Sequence, residues 1–146
     1  MPLVKGCNLP DHLLYDVANH IWFQEQDDGT VKLGMTSVAT AMAGQLVAFT
    51  PKKAGRSVDA GKSCATVESG KWVGPAKSCA AGEVVKVNDD LVANPSLANQ
   101  DPYDKGWFII LKPADWAAVK PTLTPGGAVT APYEAKMASD GFSGCP

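Results

Sequence analysis

The sequence predicts a mainly β protein, a small sandwich or flattened barrel with a few short helices. Three observations predict it. Residues 21–26 and 31–35 are two runs rich in aromatic and β-branched side chains, set on either side of Asp27-Asp28-Gly29-Thr30. Between 45 and 93, short strand-like runs alternate with Pro51, Gly55, Gly61, Gly70, Gly74-Pro75 and Gly82, the punctuation of a sheet protein. The chain has 146 residues, enough to bury one real core and too few for two ordinary domains.

Taken in order, residues 1–19 read as an N-terminal extension of loop or short helix, because Pro2, Pro10 and the turn-formers around Asn8 interrupt any periodicity. A hairpin follows over 21–35. Thr36 or Ser37 can cap a short helix through Met42, where Ala39, Ala41 and Ala43 favour helix and Gly44 ends it. Leu46–Phe49, Cys64–Val67, Glu83–Val87 and a last run over 106–112 supply the remaining strands. Residues 113–119, with Pro113 at the first position, suit a second short helix. A core unit over 20–120 is thus followed by a tail, 121–146, rich in Gly, Pro, Ala and Ser and expected to be extended or mobile.

The formal net charge of -2 gives a polyanion no basic face, so nucleic acid is not the expected partner. No apolar run is long enough to cross a bilayer and the first residues lack a signal-peptide order, so the expected compartment is the cytoplasm. His12 and His20 are the only histidines, and no nucleophile elbow or phosphate-cradling loop accompanies them. Asp27-Asp28 and Asp89-Asp90 read as turn residues rather than paired acids. The cysteines, at 7, 64, 79 and 145, have no tight ligand spacing, so no metal site is expected.

Lys71 lies between Gly70 and Trp72, with Gly74-Pro75 just beyond, and would project from a hairpin tip. On position alone it is an ordinary solvated lysine. Its surroundings say more: Ala65-Thr66-Val67-Glu68-Ser69-Gly70-Lys71, then Ala81-Gly82-Glu83-Val84-Val85-Lys86-Val87-Asn88, resemble the lipoylation region of the glycine-cleavage H-protein family. Gly29–Thr36 is similar to that family's opening hairpin, and Asn94-Pro95-Ser96-Leu97, Asp101-Pro102-Tyr103 and Gly106-Trp107 to its closing segment. The resemblance runs from about His20 to about Trp116. It implies a barrel-sandwich hybrid of the lipoyl and biotinyl carrier kind, with lipoic acid amide-linked to Lys71. It further implies that the lipoylating enzyme reads Glu68 and Gly82, and that the protein is a carrier with no catalytic residues of its own. Biotin carriers share such a fold, but Gly70-Lys71-Trp72 lacks their Met-Lys-Met signature.

Departures cluster around the lysine. Gly70 stands where the family usually has valine, and Trp72-Val73-Gly74-Pro75 where small and polar residues are usual. This variant resembles the H-like lipoate-binding proteins of the heterodisulfide-reductase-like sulfur-oxidation pathway, which implies dihydrolipoyl thiols carrying sulfur intermediates. The alternatives are a glycine-cleavage carrier of an aminomethyl group and an unlipoylated H-like binding module. Implied partners are a lipoate ligase or lipoyl synthase system, a heterodisulfide-reductase-like complex or glycine decarboxylase with aminomethyltransferase, and dihydrolipoamide dehydrogenase. A monomer is expected, since the tip must enter several active sites.

Trp72 either shelters the arm or folds back onto the sheet, and His20, at a strand start, packs there or touches the arm. If the hairpin pairs symmetrically about its tip, Cys64 and Cys79 are cross-strand neighbours, as a disulfide or, the preferred reading, as two buried thiols. Cys7 and Cys145 read as incidental tail cysteines or, alternatively, as exposed thiols able to exchange with the arm's disulfide; were the termini to meet, they could bridge.

Overall fold

The structure, a computed structural model, describes residues 3–145. β1 (Leu3–Val4) and β2 (Cys7–Asn8) form a small ribbon, followed by β3 (Leu14–Asp16). The expected hairpin is present as β4 (Ile21–Glu25) and β5 (Val31–Met35), paired from Ile21↔Met35 to Glu25↔Val31. Asp28 closes its turn by accepting from the backbone N–H and hydroxyl of Thr30. Helix α1 (Ser37–Ala43) starts where expected, with the Thr36 hydroxyl accepting from the Ala39 N–H.

β6 (Leu46–Pro51), β8 (Lys62–Ser69) and β9 (Val73–Ser78) form a three-stranded antiparallel sheet in the order β6-β8-β9. β7 (Ser57–Val58), β10 (Gly82–Val87) and β11 (Ile109–Pro113) join the other sheet, whose order ends in β5-β11-β10-β7. α2 (Asp89–Ala93), capped by Asn88, and α3 (Leu97–Gln100) bridge β10 and β11. Asp89 and Asp90 therefore sit in a helix's first turn, where the macrodipole favours acids, rather than in the loop expected for them. The main core lies between the sheets: Phe23, Leu33, Ile109 and Leu111 from one meet Phe49, Cys64, Val67 and Ala76 from the other. The strand order is open at both ends, so among the described residues the layers make a sandwich and no barrel closes.

The two ends of the chain differ most from expectation. Residues 3–19 contribute strands, and β3 pairs with β4 and with β12 (Thr124–Pro125) to extend the large sheet. The second short helix, α4 (Trp116–Val119), is capped by Asp115 rather than started by Pro113, which ends β11 instead. The segment after 121, expected to be extended or mobile, folds into helix α5 (Thr130–Ser139). Val129, Tyr133 and Met137 recur every four residues, so α5 buries one stripe against Leu9, Leu13, Tyr15 and Trp22 in a second core. Cys7 and Cys145, expected to be incidental tail thiols, are joined by a disulfide spanning 138 residues, because α5 returns the chain to β2.

Candidate functional site

The β8–β9 turn presents Lys71 in solvent. The Ser69 N–H donates to the Trp72 carbonyl at 2.7 Å, and the Lys71 N–H donates to the Ser69 hydroxyl at 3.3 Å, so Gly70 and Lys71 are the two central residues of the turn. Gly70 has no positive φ, and a Cβ there would meet nothing within 4 Å. The backbone of the turn does not require glycine at that place.

The Lys71 side chain lies back over the C-terminal end of α1. Gly44 ends that helix at φ 84°, ψ -175°, a region open essentially to glycine alone, and a Cβ on it would lie 3.3 Å from Lys71 Cε. Asn99 holds this corner by donating to the Gly44 carbonyl at 2.9 Å and accepting from the Leu46 N–H at 2.8 Å. Beside the lysine opens a largely apolar cleft of about 350 Å³, walled by Met35, Ala39, Met42, Trp72 and Ala76, with His20 at one side. Trp72 both packs on the sheet and walls the cleft beside Lys71: its indole lies so close over Gly74 that a Cβ at 74 would overlap it.

His20 stands on a left-handed backbone, φ 57°, in the turn between β3 and β4. Its ring stacks on Tyr133, with Nδ1 3.2 Å from the Tyr133 hydroxyl and Nε2 3.6 Å from Asp140. Burial lowers its pKa, and the Lys136 ammonium lowers it further, while Asp140 and Asp16 act in the opposite sense. The cleft thus faces a neutral imidazole near neutral pH.

The remaining residues singled out in the sequence lie elsewhere. Glu68 is exposed on β8 opposite Val73, beside the turn. Gly82 opens β10 in the other sheet, at the far end of β9 from the tip, roughly 20 Å away by strand length. A Cβ at 82 would collide with the Lys112 carbonyl, so close backbone approach to β11 accounts for this glycine. Cys64 and Cys79 are not cross-strand partners. The turn is centred between Gly70 and Lys71, which shifts the register, and the ladder is irregular between Ser63 and Ala65, where Cys64 lies. Both are free thiols, pushed up by burial to about 12 and about 11 respectively, and neither is a thiolate near neutral pH.

Comparison with known proteins places this geometry. The glycine cleavage H-protein family matches over residues 13–134. The chain belongs to the glycine cleavage H-protein family. It is 51% identical over 127 residues to glycine cleavage system H protein 5 of Aquifex aeolicus, covering 84% of this chain and 85% of that one. It is 40% identical over 132 residues to probable glycine cleavage system H protein 2 of Sulfurisphaera tokodaii, covering 89% of each. A crystal structure of a glycine cleavage system H protein from Mycobacterium marinum superposes with a TM-score of 0.67 at 36% identity, over 72% of this chain and 86% of that one.

H proteins are non-catalytic carriers with lipoic acid held covalently on a lysine, and this chain is a lipoyl carrier of that type. The site fits such a group. An exposed lysine sits at the rim of a cleft within the usual range for small ligands, and the walls are aliphatic, thioether and indole surfaces suited to a hydrocarbon chain ending in sulfur. The cleft walls Met35, Ala39 and Met42, the glycine under the lysine and the Tyr133–His20 contact were not foreseen from sequence. The last had a visible signal, the four-residue spacing of Val129, Tyr133 and Met137.

Proposed function

We propose that Lys71 bears the lipoyl arm, that Glu68 and Gly82 mark it for the lipoylating enzyme, a lipoate ligase or lipoyl synthase system, and that the arm carries sulfur-bound intermediates for a heterodisulfide-reductase-like sulfur-oxidation pathway. Trp72 and His20 line the place where the arm rests. The protein works as a cytoplasmic monomer. The observation that carries the choice of cargo is the lining of the cleft: among the described residues none that lines it is a carboxylate. An aminomethyl group is cationic at neutral pH and is costly to desolvate without a counter-charge. A sulfane or thiol cargo is soft and polarisable, and Met35, Met42 and Trp72 offer matching contacts. The departures beside the lysine, Gly70, Trp72 and Gly74-Pro75, fall on the surface that a partner reads. Further support comes from the numbered H proteins 5, 2 and 3 among the relatives in Aquifex aeolicus, since glycine cleavage alone calls for one carrier.

The names of the relatives favour a second reading, a carrier moving an aminomethyl group between glycine decarboxylase and aminomethyltransferase, with dihydrolipoamide dehydrogenase reoxidising the arm. Intact mass of protein from its native host, with peptide mapping across Val67 to Lys77, is expected to find a lipoyl group on Lys71. Wholly unmodified Lys71 would reduce the chain to an H-like binding module. The lipoylated protein is then offered to each enzyme set. Added sulfur mass on the Lys71 peptide with the heterodisulfide-reductase-like complex, and no aminomethyl adduct with glycine and glycine decarboxylase, is the expected pattern; the reverse pattern assigns the chain to glycine cleavage.

A further inference from the structure

Helix α1 separates two clefts, and the apolar one beside Trp72 is only the first. On the other side, Ser37, Thr40, Ala41 and Gly44, spaced to lie on one face of α1, line a second cleft of about 470 Å³. The Cys7–Cys145 disulfide lies at the Ser37 end, where Cys145 Sγ is 3.8 Å from the Ser37 carbonyl. Lys71 lies at the Gly44 end: Gly44 and Gln45 line both this cleft and the hollow that holds the lysine. The seven residues of α1 rise about 10 Å, so the distance from lysine to disulfide is about the length of that helix. An extended lipoyl chain beyond the lysine nitrogen covers a similar distance. Cys7 is buried, whereas Cys145 is half-buried and faces the cleft. Among the described residues no carboxylate side chain lines the path, so none of them sets a like charge against a thiolate there.

We propose that the Cys7–Cys145 disulfide is a redox partner of the arm on Lys71, exchanging with it along the Ser37–Gly44 face of α1; this rests on Lys71 being lipoylated. The exchange balances within the molecule. Cys145 Sγ is attacked by a thiolate of the reduced arm and the Cys7–Cys145 bond breaks, Cys7 leaving as the thiolate and taking a proton. The arm's second thiol then displaces Cys145 as the dithiolane closes. One disulfide is reduced and one dithiol oxidised, two protons pass to Cys7 and Cys145, and no outside oxidant is consumed. The chain then stores a second electron pair beside the one on its arm.

The test uses the full lipoylated protein with dihydrolipoamide dehydrogenase and NADH, quenched with an alkylating agent and mapped by mass. Cys7 and Cys145 are expected to be alkylated at least about tenfold faster than in Lys71→Arg, because exchange through a tethered arm is unimolecular. The rate is expected to be independent of protein concentration. The NADH consumed is expected to correspond to two electron pairs per chain in the native protein and to one in Cys145→Ser, with circular dichroism confirming that the variant is folded. Persistence of the Cys7–Cys145 bond while the arm thiols are alkylated overturns the proposal and leaves the carrier reading intact. Equal alkylation in Lys71→Arg overturns it as well, since the arm is then not the reductant. An intact mass without lipoate on Lys71 overturns both.

Discussion

Lys71 rests on the glycine that caps α1: its Cε lies over Gly44, 3.3 Å from where a Cβ would be. The glycine ends the helix, carries a backbone conformation that other residues avoid, and leaves room for the lysine stem. Gly44→Ala is therefore expected to cost about 1–3 kcal/mol, from the backbone alone. A urea melt checks this, and an unchanged midpoint would show that the corner relaxes freely.

The two glycines on either side of Trp72, Gly70 in the turn and Gly74 on β9, should behave differently. Gly70 has open space and no positive φ, so Gly70→Ala is expected to be neutral or to stabilise by about 0.4–1 kcal/mol through the unfolded chain. Gly74 lies under the Trp72 indole, and Gly74→Ala must displace it, at a cost of about 1 kcal/mol. Tryptophan emission should shift to the red in the second variant only. A shift of the same size in both would mean that the indole is not held by Gly74.

What was legible in the sequence is what local chemistry decides. The Asp28 turn, the Thr36 cap and the exposed tip carrying Lys71 each depend on residues within one turn or hairpin. Long-range packing was not legible. Tyr133 reaches Tyr15 and His20 across more than a hundred residues, and Cys145 meets Cys7 only because α5 folds back. The tail's small residues suggested too little apolar surface to order it, yet Val129 at the N-cap and Tyr133 and Met137 on α5 suffice when a ready-made apolar wall receives them. The preferred reading of Cys64 and Cys79 as two thiols holds, whereas their cross-strand pairing is ruled out by the position of the turn centre and one irregularity in the ladder, which no composition argument contains.

The disulfide should also stabilise the fold. By closing a loop of nearly the whole chain it restricts the unfolded state, so Cys145→Ser is expected to cost about 2–5 kcal/mol. Thermal denaturation of the native protein with and without a thiol reductant checks the same quantity without mutation. Identical melting temperatures in both conditions would mean that α5 holds through the Tyr133 and Met137 contacts alone.

His20 gives the stability a pH dependence with a definite sign. Its pKa is lowered below the ordinary 6.5, first by burial and then by Lys136, against the opposing pull of Asp140 and Asp16. An imidazole whose folded pKa lies below its unfolded value binds more protons unfolded than folded. Its contribution to stability is therefore full above about 6.5 and is lost as pH falls from there toward the folded value. Charging the ring would also place a cation against the Tyr133 face and beside Lys136, at the edge of the cleft next to Lys71. Denaturant midpoints at about pH 7.5 and about pH 5.5 should fall more steeply in the native protein than in His20→Asn, a residue that tolerates the left-handed backbone at this position. Equal slopes in the two proteins would assign the acid sensitivity to other groups and leave His20 a packing residue.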